Sequence, residues 1–217
     1  MSLPKNIKYA VFDLDGTLFD SMWLWKQIDY DYLSKRGIQV PSDYMKCINH
    51  LSVMDTALYS IERFNLKDSP EDLIAEWLDM AKEAYCNKIL LKPYVTEYLE
   101  KLKKDGVSMS VATSLSLELA IPALERNGIL KYFDSVVNSE QVKRGKGFPD
   151  IYLKAISHTN FKPQDCVVFE DILKGVTGAK AGEFFVVGVY DEESAQDHNA
   201  IKNIADMFIN SFKDLII

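Results

Sequence analysis

Short apolar runs, separated by polar or glycine-containing segments, predict a buried parallel sheet. Strands covered by helices on both faces read as continuous apolar runs and do not alternate with polar residues. The strongest candidates are 9–12, 108–112, 166–169 and 185–189. Two weaker candidates are 135–137 and 207–209.

Amphipathic stretches between these runs predict helices, because each stops at a helix-ending residue. The predicted helices are 94–105, 116–127, 150–158 and 174–181. Gly106, Gly128 and Gly182 follow three of them, and Pro122 predicts that the second is kinked or begins late. Alternating strands and helices predict an α/β fold, with a three-layer, Rossmann-like parallel sheet at its core.

One long segment breaks this alternation. Residues 19–92 contain no convincing strand but are rich in helix-forming and aromatic residues. We therefore expect an inserted helical domain over 19–92, with 1–18 and 93–217 together forming the α/β core.

Composition narrows the possible partners of this 217-residue chain. Its net charge of −7 argues against nucleic acid as a partner. No apolar run approaches the roughly 18–20 residues that a membrane span needs. The three cysteines are scattered, and no apolar leader precedes the first strand, which together predict a cytoplasmic protein. We expect a monomer.

Polar residues follow the predicted strands where parallel strands would end at one edge of the sheet. Asp13 and Asp15 come directly after strand 9–12, and Gly16 permits a sharp turn away from it. Because open α/β sheets bind ligands beyond the carboxyl ends of their strands, both carboxylates are expected to face a cleft.

Three further segments are expected at the same edge. Thr113 and Ser114 follow strand 108–112, Lys146 precedes helix 150–158, and Glu170 and Asp171 follow strand 166–169. Thr113 and Ser114, with backbone N–H groups at a helix N-terminus, and Lys146 are the predicted phosphate-binding residues.

Several carboxylates in one cleft predict a divalent cation, since their mutual repulsion is costly without one. Oxygen ligands suit Mg²⁺ and also admit Mn²⁺. The predicted metal ligands are Asp13, Asp15, Glu170 and Asp171.

The same residues predict phosphoryl transfer. Asp13 would attack phosphorus and form an aspartyl-phosphate, while Asp15 would protonate the leaving oxygen and later activate water. Asp13, Asp15, Thr113 and Lys146 form the predicted catalytic set. The predicted function is Mg²⁺-dependent hydrolysis of a small phosphorylated metabolite.

These segments resemble the four motifs of the haloacid dehalogenase-like superfamily of phosphohydrolases. They are Asp13-Leu14-Asp15-Gly16-Thr17, Ala112-Thr113-Ser114, Gly145-Lys146-Gly147-Phe148-Pro149-Asp150, and Phe169-Glu170-Asp171 followed by Gly175. The resemblance runs from about Tyr9 to Val189. It implies that residues 19–92 form a helical cap of the C1 type, as in β-phosphoglucomutase-like and phosphoglycolate-phosphatase-like members.

Three positions depart from the family's usual motifs. Gly147 replaces a proline, Ile172 a serine, and Tyr94 a glycine that commonly follows the proline at Pro93. None of these changes removes a predicted catalytic group.

Alternative functions remain open at this stage. A sugar phosphomutase would use the same aspartyl-phosphate, although Trp25 stands where similar β-phosphoglucomutases carry a cap histidine. Dehalogenase and phosphonate-cleaving relatives lack the second aspartate, which is present here as Asp15. The third alternative is a binding protein on a phosphatase scaffold, since fold alone does not prove activity.

Overall fold

The protein was analysed as a computed structural model. It describes residues 1–48, 51 and 53–216, apart from the side chain of Lys46. The chain forms two compact units: Met1–Met22 with Ile89–Ile217, and Trp23–Lys88. We refer to the first as the α/β unit and to the second as the helical unit.

A six-stranded parallel sheet forms the centre of the α/β unit. Its strands are β1 (Tyr9–Phe12), β4 (Ser108–Thr113), β5 (Ser135–Asn138), β6 (Cys166–Glu170), β7 (Phe185–Val189) and β8 (Met207–Ile209). They are arranged in the order β5-β4-β1-β6-β7-β8. The predicted fold class is confirmed. The strand order reverses on either side of β1, which makes its carboxyl end the expected binding edge.

Helices surround this sheet. They are α5 (Val95–Lys104), α6 (Leu117–Arg126), α7 (Asp150–Ile156), α8 (Leu173–Ala181) and α9 (His198–Ile204). The second of these begins well before Pro122, so that proline does not delay its start. One face of the sheet buries Tyr9, Val11 and Val168 against residues of α7 and α8. The other face carries the stacked rings of Phe12 and Phe169, whose centroids are 4.5 Å apart.

Two short strands were not predicted. β2 (Phe19–Asp20) and β3 (Leu90–Leu91) pair antiparallel, close to the points where the chain leaves and re-enters the α/β unit. Strands of two residues carry no readable periodicity, which explains why the sequence pattern misses them.

The helical unit contains α1 (Leu24–Lys35), α2 (Tyr44–Ile48), α3 (Val53–Phe64) and α4 (Pro70–Asn87). The buried residues of α4 include Leu73, Trp77 and Ala81. Their spacing of four places them on one helix face, which packs against α1. Ser69 begins α4 by accepting a hydrogen bond from the Asp72 amide at 3.1 Å. Among the residues that the structure describes, no helix is both long and apolar enough to cross a membrane.

Candidate active site

The register of three strands brings the predicted site residues to one edge of the sheet. Phe12, the last residue of β1, lies opposite Val111 of β4 and Phe169 of β6. Asp13 directly follows, and its amide donates a hydrogen bond to the Phe169 carbonyl at 3.1 Å. Residues that follow these three strands therefore lie at the same edge.

Three carboxylates and one lysine form a buried cluster there. Asp13 is 3% exposed, and Glu170 and Asp171 are fully buried. One carboxylate oxygen from each of these three residues lies within 4.8 Å of the others. The Lys146 ammonium contacts an oxygen of Asp13 and lies 2.6 Å from Oε1 of Glu170. This arrangement confines one positive and three acidic groups in a small, buried volume.

Burial and mutual repulsion disfavour full ionisation of this cluster. Burial raises the pKa of Asp13 well above its usual range, and Glu170 and Asp171 add to the rise while Lys146 opposes it. Burial and the Glu170 carboxylate likewise raise the pKa of Asp171 to about 7. Burial alone would lower the pKa of Lys146, but the carboxylates of Asp13 and Glu170 raise it above the ordinary value. Lys146 therefore stays charged, and full ionisation of the buried acids is disfavoured unless a further cation balances their charge.

The donor set fits a hard divalent cation. Oδ1 of Asp171 accepts a hydrogen bond from the Thr17 hydroxyl at 3.1 Å. Oδ2 of Asp171 is buried and has no partner among the described residues. A buried carboxylate oxygen without a partner is costly unless a cation binds it, and Mg²⁺ prefers such oxygen ligands.

The second aspartate of the first motif, Asp15, is a neighbour of this cluster, and its charge adds to the rise in the pKa of Asp13. Asp15 is half-buried, and the Ser21 hydroxyl donates a hydrogen bond to its Oδ1 at 2.6 Å. Its carboxylate does not belong to the group of three acids described above. Gly16 has a φ of 77°, and a Cβ there would overlap the Asp171 carboxylate. Glycine is therefore required at this turn both for its backbone conformation and for space.

Thr113 and Ser114 lie at the end of β4, next to β1, as predicted. Thr113 is fully buried, and its hydroxyl accepts a hydrogen bond from the Leu115 amide at 3.0 Å. Ser114 is exposed, with its hydroxyl 3.3 Å from that of Ser139. No described hydrogen bond links either residue to the buried cluster. Both lie just ahead of the N-terminus of α6, which begins at Leu117.

The comparisons with known proteins agree with this geometry. A family model described as haloacid dehalogenase-like hydrolase matches residues 10–189. A phosphorylated carbohydrates phosphatase from Thermotoga maritima is 31% identical over 172 residues, which cover 79% of this chain and 80% of that protein. The chain belongs to the haloacid dehalogenase-like hydrolases.

Two further similarities cover nearly the whole chain. Hexitol phosphatase B of Escherichia coli is 24% identical over 221 residues, covering 99% of this chain and 97% of that one. A solved structure from Thermotoga maritima, described as a candidate β-phosphoglucomutase, has a TM-score of 0.86 at 26% identity and covers 97% of both chains. Family membership and the phosphatase relatives confirm the predicted enzyme class, a phosphoric monoester hydrolase.

This chain departs from the family's usual residue at three positions, and the structure shows the local environment of each. Tyr94 has a φ of 68°, a left-handed conformation that glycine adopts without strain. Ile172 is the N-cap of α8, where it supplies no side-chain hydrogen bond. A Cβ at Gly147 would approach only the flexible side chain of Lys174, at 3.1 Å.

Two residues around the hydrolase site were not predicted from the sequence. The Tyr152 hydroxyl is 2.9 Å from Oε1 of Glu170 and 3.2 Å from the Gly175 carbonyl, and it can donate to either. Thr17 donates to Asp171, as described above. Thr17 stands within the first motif, which could have drawn attention to it, whereas nothing in the sequence distinguishes Tyr152 from a core tyrosine.

Proposed function

We propose that this protein hydrolyses the phosphate ester of a small phosphorylated carbohydrate, with Mg²⁺ as cofactor and Asp13 as nucleophile. The buried cluster of Asp13, Lys146, Glu170 and Asp171 is the observation that carries the proposal. The named relatives, a phosphorylated carbohydrates phosphatase and a hexitol phosphatase, support carbohydrate phosphates as the substrate class.

Asp13 opens the reaction. A carboxylate oxygen of Asp13 bonds to phosphorus while the bond from phosphorus to the ester oxygen breaks, which gives an aspartyl-phosphate. Lys146 holds its positive charge beside Asp13, where it favours the ionised carboxylate and the transferring phosphoryl oxygens. Thr113 and Ser114 are proposed to bind other phosphoryl oxygens together with the N-terminus of α6.

Asp15 is the proposed general acid and base. It protonates the ester oxygen as that oxygen leaves, and then removes a proton from the water that hydrolyses the aspartyl-phosphate. The Ser21 hydroxyl donates a 2.6 Å hydrogen bond to Oδ1 of Asp15, which orients this carboxyl group.

The acidic cluster would hold Mg²⁺ through Asp13, Asp171 and Glu170, with Asp15 as a further ligand proposed from the sequence. When bound, Mg²⁺ neutralises part of the charge on the carboxylates and on the phosphoryl oxygens. Thr17 and Tyr152 keep Asp171 and Glu170 in place. We further propose that residues 19–92, predicted as the cap, supply the selectivity for the organic part of the substrate.

A phosphomutase is the second candidate, and the similarity to the candidate β-phosphoglucomutase favours it. In that reaction the phosphoryl group returns from Asp13 to a sugar and does not pass to water. Trp25 stands where similar mutases carry a histidine, so this chain lacks one proton-transfer group of that chemistry.

The test measures phosphate release from p-nitrophenyl phosphate, sorbitol 6-phosphate and glucose 6-phosphate, with Mg²⁺ or with a chelator. We expect Mg²⁺-dependent release that Asp13→Asn lowers by about three orders of magnitude or more. Asp134→Asn, an exposed aspartate of the same unit, serves as the matched control. Release that survives Asp13→Asn would refute the proposed nucleophile. Conversion of β-glucose 1-phosphate to glucose 6-phosphate without phosphate release would favour the mutase.

A further inference from the structure

A buried ion pair lies in the α/β unit, and the mechanism above does not use it. The Lys92 ammonium is 2.8 Å from Oδ2 of Asp191, and the two side chains are only 14% and 8% exposed. Both residues belong to the α/β unit. A buried pair of this kind seldom adds stability, because the cost of removing two charges from water is about as large as their attraction. Another role must therefore explain it.

Asp191 follows the sheet at the edge that carries the acidic cluster. It stands two residues beyond the end of β7, and β7 pairs in parallel with β6, with Gly188 opposite Glu170. The chain that follows β7 therefore emerges next to Asp171, which directly follows β6. The Glu193 amide donates a 3.0 Å hydrogen bond to Oδ1 of Asp191 and so orients its carboxylate.

Lys92 is held at the same edge by its backbone. Its amide donates a 2.9 Å hydrogen bond to the carbonyl of Leu18, the residue after Thr17. The Thr17 hydroxyl in turn donates to Asp171. The Lys92 ammonium also donates to the Tyr190 carbonyl at 2.7 Å, so it contacts the loop after β7 twice. A continuous series of contacts thus joins the ion pair to Asp171.

Both charges of the pair act on the Asp171 carboxylate. Burial and Glu170 are the main causes of its raised pKa; beyond them, the Lys92 ammonium lowers this pKa and the Asp191 carboxylate raises it. Buried charges are screened less by water and salt than charges at the surface. The same two charges would therefore act on a divalent cation bound by Asp171, which Lys92 would repel and Asp191 would attract.

We propose that Lys92 and Asp191 set the affinity of the acidic cluster for Mg²⁺, with Lys92 weakening the binding and Asp191 strengthening it. Both residues act through their charge and are not ligands of the ion. The inference rests on the proposed function, because it concerns the Mg²⁺ site proposed there.

The test compares two variants that break the same ion pair. Lys92→Met and Asp191→Asn both release the loop after β7, but they change the charge beside Asp171 in opposite directions. Isothermal titration calorimetry on the full chain measures Mg²⁺ affinity at pH 8, where an ordinary aspartate is ionised. We expect Lys92→Met to bind Mg²⁺ roughly threefold to tenfold more tightly than the wild-type protein, and Asp191→Asn to bind it more weakly by a similar factor.

Further variants separate charge from packing. Lys92→Arg keeps the charge and should retain the wild-type affinity. The double variant Lys92→Met with Asp191→Leu replaces the pair by apolar side chains, which proteins often tolerate, and its affinity should return towards that of the wild-type protein. Lys180→Met is the matched control, because Lys180 forms a 2.8 Å ion pair with Asp206 in the same unit. Asp206 contacts the amide of Val186, near the start of β7, so loss of this pair should leave Mg²⁺ affinity unchanged.

The direction of the two changes decides between charge and packing. Affinity changes of the same sign in Lys92→Met and Asp191→Asn, or no change in either, would overturn the inference and show that the pair only holds the loop. Circular dichroism checks the fold of each variant. If Lys92→Met does not fold, Lys92→Gln takes its place, since it removes the charge but can still donate to Asp191. Absence of Mg²⁺ binding to the wild-type protein would instead refute the proposed cofactor, and this inference with it.

Discussion

The burial of Lys146 among three acidic residues is unusual for a protein interior, where charged groups are seldom found. It is 6% exposed and lies between Asp13 and Glu170, with Asp171 close to both of these acids. Transferring a charge from water to the protein interior costs several kcal/mol for each ion. The attraction between buried opposite charges seldom exceeds this cost. One lysine among three acids leaves the cluster short of positive charge, so its arrangement is explained by ligand binding and not by stability.

We expect Tyr152 to act as a positioning residue for this cluster, because its hydroxyl lies 2.9 Å from Oε1 of Glu170. We predict that Tyr152→Phe weakens Mg²⁺ binding about tenfold, since residues that orient metal ligands typically contribute 10- to 100-fold in affinity. Isothermal titration calorimetry with Mg²⁺ measures this directly, without reference to turnover.

Tyr98→Phe is the matched control for Tyr152→Phe. Tyr98 is also a buried tyrosine of the α/β unit, but its hydroxyl has no partner among the described residues. Its removal should leave Mg²⁺ affinity unchanged and should not lower stability. Equal Mg²⁺ affinities for Tyr152→Phe and the wild-type protein would show that the tyrosine only fills the core.

The sequence predicts the candidate site residues better than it predicts the residues that hold them in position. Asp13, Glu170 and Lys146 were predicted because they follow strands or stand within motifs of fixed spacing. Tyr152 reaches Glu170 only because α7 packs across β1, β4 and β5, which no local pattern reveals.

At the scale of elements, the sequence places the strands well but ends three of them, β4, β5 and β6, one residue early. Thr113 and Glu170 are polar and end the apolar runs of β4 and β6. Each is still paired within the sheet, Thr113 opposite Asn138 and Glu170 opposite Gly188. A polar residue at a strand end still shares backbone hydrogen bonds, so polarity alone does not mark where pairing stops. The two site residues are consequently held by the sheet itself.

The junction of β6 with α8 is weaker than it could be. Ile172 is the N-cap of α8 with φ −105° and ψ 143°, the extended conformation in which a serine side chain can accept a hydrogen bond from the first turn. We predict that Ile172→Ser raises the free energy of unfolding by about 1 kcal/mol. Chemical denaturation, monitored by circular dichroism, measures the change.

Ile172→Ala separates the capping effect from the loss of the isoleucine side chain. Ile172 is partly buried, so both substitutions lose some apolar contact, but only serine restores a cap. The serine variant should therefore exceed the alanine variant in stability. If the two variants unfold at the same denaturant concentration, the N-terminus of α8 gains nothing from a side-chain cap.

At the scale of the whole molecule, we expect the acidic cluster to couple stability to pH and, through the proposed metal site, to Mg²⁺. An aspartate in an unfolded chain titrates near pH 3.9, whereas burial and Glu170 raise the pKa of Asp171 to about 7. Between these values the folded protein binds more protons than the unfolded chain, so Asp171 lowers the free energy of unfolding as pH rises. The destabilisation is complete above about pH 7 and absent below about pH 4.

Asp171→Asn removes both this penalty on stability and a carboxylate that we propose as a metal ligand. Without Mg²⁺ at pH 8, we predict that the variant is more stable than the wild-type protein by roughly 1–3 kcal/mol, and that the difference shrinks as pH falls towards 4. The Thr17 hydroxyl can still donate to the asparagine oxygen, so the local packing is kept. Denaturant unfolding with a chelator present, repeated across this pH range, measures the difference.

Addition of Mg²⁺ should reverse the order of the two proteins. A ligand that binds only the folded state stabilises it by about 2.7 kcal/mol at 100 times its dissociation constant, and the variant has lost a ligand that this binding needs. The wild-type protein should therefore gain stability with Mg²⁺ while Asp171→Asn gains little, and NaCl at equal ionic strength should reproduce neither effect. Equal gains in both proteins would place the Mg²⁺ site elsewhere. A less stable variant in chelator would mean that Asp171 contributes to folding without a metal, contrary to its buried, unpartnered oxygen.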